Sequence, residues 1–172
     1  MLSHFDLPGY GKSKDINMDR VEFVKKIVEQ ISDKKSFVLF GVSYGGLLAI
    51  KYFLKYPDKA KGIIIGGMPY YPGFAKIAKI SRYIPRLKTL SKVLGEFDFL
   101  NEKNLMSLKI PVLLLYSTKD RLATLGMGRR ISKLIPDSKL FTTNKYNHGW
   151  LLHRIDESGI LKEIEKFMKE IA

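Results

Sequence analysis

No cysteine occurs in the 172 residues, which excludes disulfide staples and thiolate metal sites alike. Histidine is nearly as scarce, with three, too few for a histidine-rich metal centre, and no metal site is expected. Long apolar runs are missing too. The longest stretch without a charge, Ser36 to Ile50, is too short and too rich in glycine to span a bilayer. The opening residues M-L-S-H-F-D-L-P-G lack the basic start and apolar core of a signal peptide, so the expected location is the cytoplasm. Acidic residues are outnumbered 17 to 30, for a net charge of +13. Such an excess suits nucleic acid or an anionic membrane surface. Lysine supplies 23 of the 30 basic residues, however, scattered singly or in pairs with no arginine-rich run. A solvated lysine coat is therefore the favoured reading: no nucleic-acid partner is expected, and a membrane surface is the less favoured alternative.

What is present is the make-up of one globular domain, with 45% hydrophobic and 27% charged residues. Its centre is S-F-V-L-F-G-V-S-Y-G-G-L-L-A-I, residues 36–50. Phe37 to Phe40 has the composition of a strand buried on both faces. Gly41-Val42-Ser43-Tyr44-Gly45 fits G-x-S-x-G, and helix formers run from Gly46 to Tyr56 until Pro57 stops them. In a strand-to-helix elbow of this kind the serine is strained and its hydroxyl stands above the sheet. Side chains two positions before and two after it would meet backbone, so glycine is expected at both Gly41 and Gly45. The bland alternative is a plain βα turn with Ser43 as helix cap.

Around this centre strands and helices alternate. Met1 to Phe5 is a short strand candidate ahead of D-L-P-G-Y-G-K-S. Asp19 to Ile31 repeats apolar residues at helical spacing. Lys61 to Gly67, Pro111 to Tyr116 and Lys139 to Thr143 read as strands, Thr124 to Ile135 and Ser158 to Ile171 as helices. The rhythm predicts an α/β fold with a parallel sheet of about five strands and helices on both faces. Met1 to Phe5 is expected to pair beside Phe37 to Phe40; if that edge stays open, a homodimer could cover it. Met68 to Leu108 breaks the pattern as a short helical cap insertion within one domain spanning 1–172. Its apolar stripe, with Tyr70, Tyr71, Phe74, Ile77, Ile80 and Ile84, is a candidate lining for an acyl pocket, or ordinary packing surface.

Parallel sheets place functional groups at the carboxyl ends of their strands. Ser43, Asp120 and His148 all fall at such ends, in that chain order. A hydroxyl, an imidazole and a carboxylate are what acyl transfer needs: nucleophile, proton carrier and orienting acid. Taken singly, Asp120 could cap the next helix and His148 could be a loop histidine.

With these residues in hand, the chain resembles the α/β-hydrolase superfamily, in the capped esterase, lipase and aminopeptidase-like branch. D-L-P-G-Y-G-K-S, G-V-S-Y-G-G, Y-S-T-K-D-R and N-H-G-W carry the likeness. The resemblance implies Ser43 as nucleophile, His148 as general base, Asp120 as its orienter and the Tyr44 backbone N–H as one oxyanion donor. It implies a serine hydrolase needing no cofactor and acting on a small or medium carboxylic ester or related acyl compound. It also implies three strands and a helix ahead of the D-x-P-G-x-G loop, with a second oxyanion donor among them. A chain opening at the fourth strand is then a fragment, a reduced hydrolase, or a non-catalytic binding protein on a hydrolase scaffold.

Overall fold

The structure, a computed structural model, describes residues 4–9, 11–31, 36–57, 60–70, 95–97, 100–148 and 159–172. Four strands form one parallel sheet in the order β1-β2-β3-β4: Phe37–Val42, Ala60–Gly66, Val112–Ser117 and Ser138–Thr143. Each strand pairs with the next in sequence, so every crossover carries the chain one place along the sheet. Helices α1 (Arg20–Ile31), α2 (Tyr44–Lys55), α3 (Glu102–Met106), α4 (Leu125–Leu134) and α5 (Ile160–Glu170) surround it.

Alternation along the strands decides which helix covers which face. Ile63, Ile65, Val112, Leu114 and Tyr116 point to one side, where α2, α3 and α4 bring Leu47, Ile50, Leu105 and Ile131 into a single cluster. Ile64, Leu113 and Leu115 point to the other, where Ile160 and Phe167 of α5 meet them. α1 lays Val21, Val24 and Val28 on Leu48 and Tyr52 of α2, in a cluster that Phe37 and Leu39 of β1 also join. Local signals set the helix starts: Asp19 Oδ1 accepts from the Val21 and Glu22 N–H groups, and Asn101 Oδ1 from Asn104 N–H.

The expected parallel sheet with helices on both faces is present. It has four strands among the described residues, and His4 to Leu7 form none; Met1 to Ser3 lie outside the description. β1 is consequently bonded to β2 alone among those residues, and it departs from expectation. Phe37 to Phe40 are only partly buried, whereas every residue of β3 is buried. A strand with one neighbour shields half as much of its length. Residues 71–94, most of the expected cap insertion, also fall outside the described residues. The chain beyond them returns into the main core through Phe97, Leu100, Leu105 and Leu108. No helix of the described residues is long and apolar enough to cross a membrane.

Two glycines near the start of α4 weaken its helix propensity, and one of them has a packing reason. A Cβ on Gly128 would sit 2.6 Å from the Tyr116 ring. That ring is fully buried, and its hydroxyl donates to the Met68 carbonyl at 2.6 Å, so it cannot swing aside. Gly128→Ala should lower stability by about 1–3 kcal/mol through overpacking, despite the roughly 1 kcal/mol by which alanine favours a helix. Gly126→Ala, whose Cβ would meet only Thr124 Oγ1 at 3.7 Å, is the control. Urea midpoints of the two variants should move in opposite directions.

Candidate active site

Ser43 joins β1 to α2 with φ 53° and ψ −117°. Among the described residues it is the one non-glycine with positive φ, a region that L-residues avoid. Two bonds fix it there. Its N–H donates to the Gly66 carbonyl at 2.8 Å, extending the β1–β2 ladder, and its carbonyl accepts from Gly46 N–H at 3.0 Å. The turn is so tight that a Cβ on Gly41 would lie 2.2 Å from the carbonyl carbon and oxygen of Gly45. The steric demand expected at Gly45 itself is absent: nothing among the described residues lies within 4 Å of a Cβ there. The close contact belongs to Gly46, whose Cβ would press on Ile65 at 2.9 Å. The reason is rotation around α2, which turns position 45 away from the sheet and position 46 onto it.

The turn after β3 brings Asp120, whose side chain is 1% exposed. Its Oδ1 accepts from the N–H groups of Leu122 and Ala123, both at 2.8 Å. Its Oδ2 lies 2.8 Å from His148 Nδ1. The opposite ring nitrogen, His148 Nε2, is 3.1 Å from Ser43 Oγ. The imidazole is 24% exposed, so one side of the trio is open to solvent. Space for it comes from the end of β2: Gly67 has φ +51°, and a Cβ there would stand 3.1 Å from Asp120 Oδ2. Sequence reasoning took that G-G doublet as a strand end and no more.

Tyr44 follows the serine, and its N–H belongs to the first turn of α2, where helix geometry provides no intrahelical acceptor. Its side chain is anchored separately. The phenol donates to Glu96 Oε2 at 2.6 Å and accepts from Arg20 at 2.8 Å. Arg20 also pairs with Glu96 at 2.9 Å, and Lys51 reaches the same carboxylate at 3.3 Å. Burial, and next the Glu96 hydrogen bond, push the Tyr44 phenol above its ordinary range, so it remains a donor. The edge of Phe97 completes the group, ring centroids 6.1 Å apart. No sequence signal pointed to Arg20 or Glu96, because the group joins positions 24 and 52 residues from Tyr44.

Of the pocket candidates, Tyr70 is 4% exposed within the main core, with Arg130 over its ring at 5.5 Å. Tyr71, Phe74, Ile77, Ile80 and Ile84 lie outside the described residues. Near the start of the described chain, Gly9 N–H donates to Ser13 O at 3.0 Å, and Asp6 accepts from Lys12 N–H at 2.9 Å.

Comparison with known proteins agrees with this architecture. A family described as alpha/beta hydrolase fold matches residues 4–75. A proline iminopeptidase of Flavobacterium johnsoniae is 33% identical over 99 residues, 55% of this chain and 32% of that protein. A pimeloyl-[acyl-carrier protein] methyl ester esterase of Shewanella woodyi is 36% identical over 63 residues, 37% of this chain and 24% of its own length. The chain thus matches no more than about a third of the length of either relative. A thermophilic esterase from Thermogutta terrifontis superposes with TM-score 0.74 at 17% identity, over 96% of this chain and 78% of that one. These likenesses show that the chain has an α/β-hydrolase fold.

Proposed function

We propose that this chain is a serine hydrolase that transfers the acyl group of a small or medium carboxylic ester to water. One observation carries the reading: Ser43 Oγ, both ring nitrogens of His148 and Asp120 Oδ2 form a continuous relay, with links of 3.1 and 2.8 Å. In the first half-reaction Nε2 takes the Ser43 proton as Oγ attacks the ester carbonyl. The same proton then goes to the departing alkoxide as the carbon–oxygen bond breaks. In the second half-reaction water loses a proton to Nε2 and attacks the acyl-serine, and the proton returns to Oγ. The Asp120 carboxylate accepts from Nδ1–H, so that Nε2 faces the serine with its lone pair.

The Tyr44 N–H, at the positive end of α2, is the proposed donor to the oxyanion. Gly9 N–H is already committed to Ser13 O and so is no ready second donor. A site with one donor in place of two turns over roughly 10²–10³-fold more slowly. The test is covalent labelling. A fluorophosphonate should label the wild-type chain and leave Ser43→Ala unlabelled. Labelling of both would move the nucleophile elsewhere, and labelling of neither would leave a binding scaffold.

A further inference from the structure

Ser117 ends β3 as a fully buried residue, and it touches both loops that carry the relay. Its Oγ donates to the Tyr146 carbonyl at 2.5 Å, two residues ahead of His148. The same oxygen accepts from Lys119 N–H at 3.2 Å, and the Ser117 carbonyl accepts from Asp120 N–H at 3.2 Å. One side chain therefore ties the turn that presents the acid to the loop that presents the imidazole. Among the described residues, little else with direction does so. Thr118 N–H donates to Thr143 O at 2.8 Å as the last rung between β3 and β4, but that rung stops short of the loop. The Tyr146 ring is buried in the cluster with Ile160 and Phe167, and its hydroxyl has no hydrogen-bond partner among the described residues. Apolar packing holds the ring without setting the loop's height above the sheet.

We propose that Ser117 is a positioning residue of the site, whose hydroxyl sets the approach of His148 to Asp120 through the Tyr146 carbonyl. This rests on the hydrolase reading for its kinetic consequence but not for its structural one. Without the hydroxyl, the Tyr146 carbonyl and the Lys119 N–H both lose a buried partner. The loop then settles where those groups find water, and the 2.8 Å contact between ring and carboxylate is no longer enforced. A shift of about 1 Å at reacting groups costs on the order of 10²-fold in rate. Substrate contacts are untouched, so the loss falls on kcat and leaves KM alone.

The experiment compares wild type, Ser117→Ala and Ser117→Cys by two readouts. Cysteine keeps the size but offers a weak donor, and it serves as the informative variant should alanine disturb folding, which far-ultraviolet circular dichroism would reveal. Hydrolysis of p-nitrophenyl acetate should fall about 10²-fold in kcat for alanine and by a smaller factor for cysteine, with KM within about twofold. Nitrogen-15 spectra of labelled histidine, assigned with His148→Gln, report the ring tautomer whether or not the chain turns over ester. Wild type should hold the proton on Nδ1, and the variants should shift part of it to Nε2. A tautomer and rate both unchanged in either folded variant would overturn the role of Ser117 while leaving the hydrolase reading intact. A wild type that is inert to ester and fluorophosphonate, yet shows the tautomer shift, would sink the hydrolase reading and keep Ser117.

Discussion

Replacing Asp120 by asparagine is expected to lower kcat for an activated ester about 10⁴-fold while leaving the fold intact. The geometry says why so small a change does so much. Oδ1 accepts two backbone N–H groups, from Leu122 and Ala123, and Oδ2 faces His148 Nδ1. An asparagine has one oxygen to give, and the two N–H groups claim it. Its NH₂ must then face the imidazole, which can meet a donor only with an unprotonated Nδ1. The ring proton moves to Nε2, the nitrogen that should receive the Ser43 proton, and the base is lost through the wrong tautomer. Burial of the carboxylate leaves no water to rescue the arrangement. Purified Asp120→Asn would be assayed with p-nitrophenyl acetate beside wild type, with thermal unfolding as the check on structure. A loss below about tenfold would mean that Asp120 caps its turn and does nothing for His148.

The second large effect is expected at Gly41. Adding one methyl group puts a Cβ 2.2 Å from the Gly45 carbonyl group and 2.6 Å from Gly46 N. All of these are backbone atoms at the start of α2, and neither strand nor helix can yield without moving Ser43. Gly41→Ala should therefore lose labelling and ester turnover together, and destabilise the chain by about 1–3 kcal/mol or more. Gly45→Ala is the contrast: no described residue lies within 4 Å of a Cβ there, and a helical backbone favours alanine by up to roughly 1 kcal/mol. Two glycines that look alike in G-x-S-x-G are thus expected to differ in the sign of their effect on the urea midpoint. Equal destabilisation by both would contradict the packing described for the elbow.

That contrast marks how far the sequence can be read. Strand β3 was legible because P-V-L-L-L-Y is apolar throughout, as a strand covered on both faces must be. α1 was legible because Val21, Val24 and Val28 repeat at the helical period. Ser43, Asp120 and His148 were legible because each follows a recognisable strand, and parallel strands deliver their ends to one edge. Contacts set by rotation about α2 were not: which of Gly45 and Gly46 meets the sheet depends on a phase that a pattern of small residues does not fix. Tertiary groups were hidden for the same reason. Arg20, Tyr44, Lys51 and Glu96 come from three separate stretches, and nothing in any one of them announces the others. α3 was overlooked because its short sequence E-K-N-L-M sat inside a stretch taken whole as a cap. The half-exposed state of β1 was missed because its composition suits a central strand while its place among the described residues is at the edge.

The backbone of Ser43 bears on whether this scaffold still works as a catalyst. A serine at φ 53° and ψ −117° is held in a conformation that costs about 1–3 kcal/mol, against a net stability of about 5–15 kcal/mol for a domain. Glycine would occupy the same turn with almost no penalty. A single substitution to glycine would release that tension. With its hydroxyl 3.1 Å from His148, the serine carries in the resting fold an energetic cost that the proposed acyl-transfer chemistry would account for.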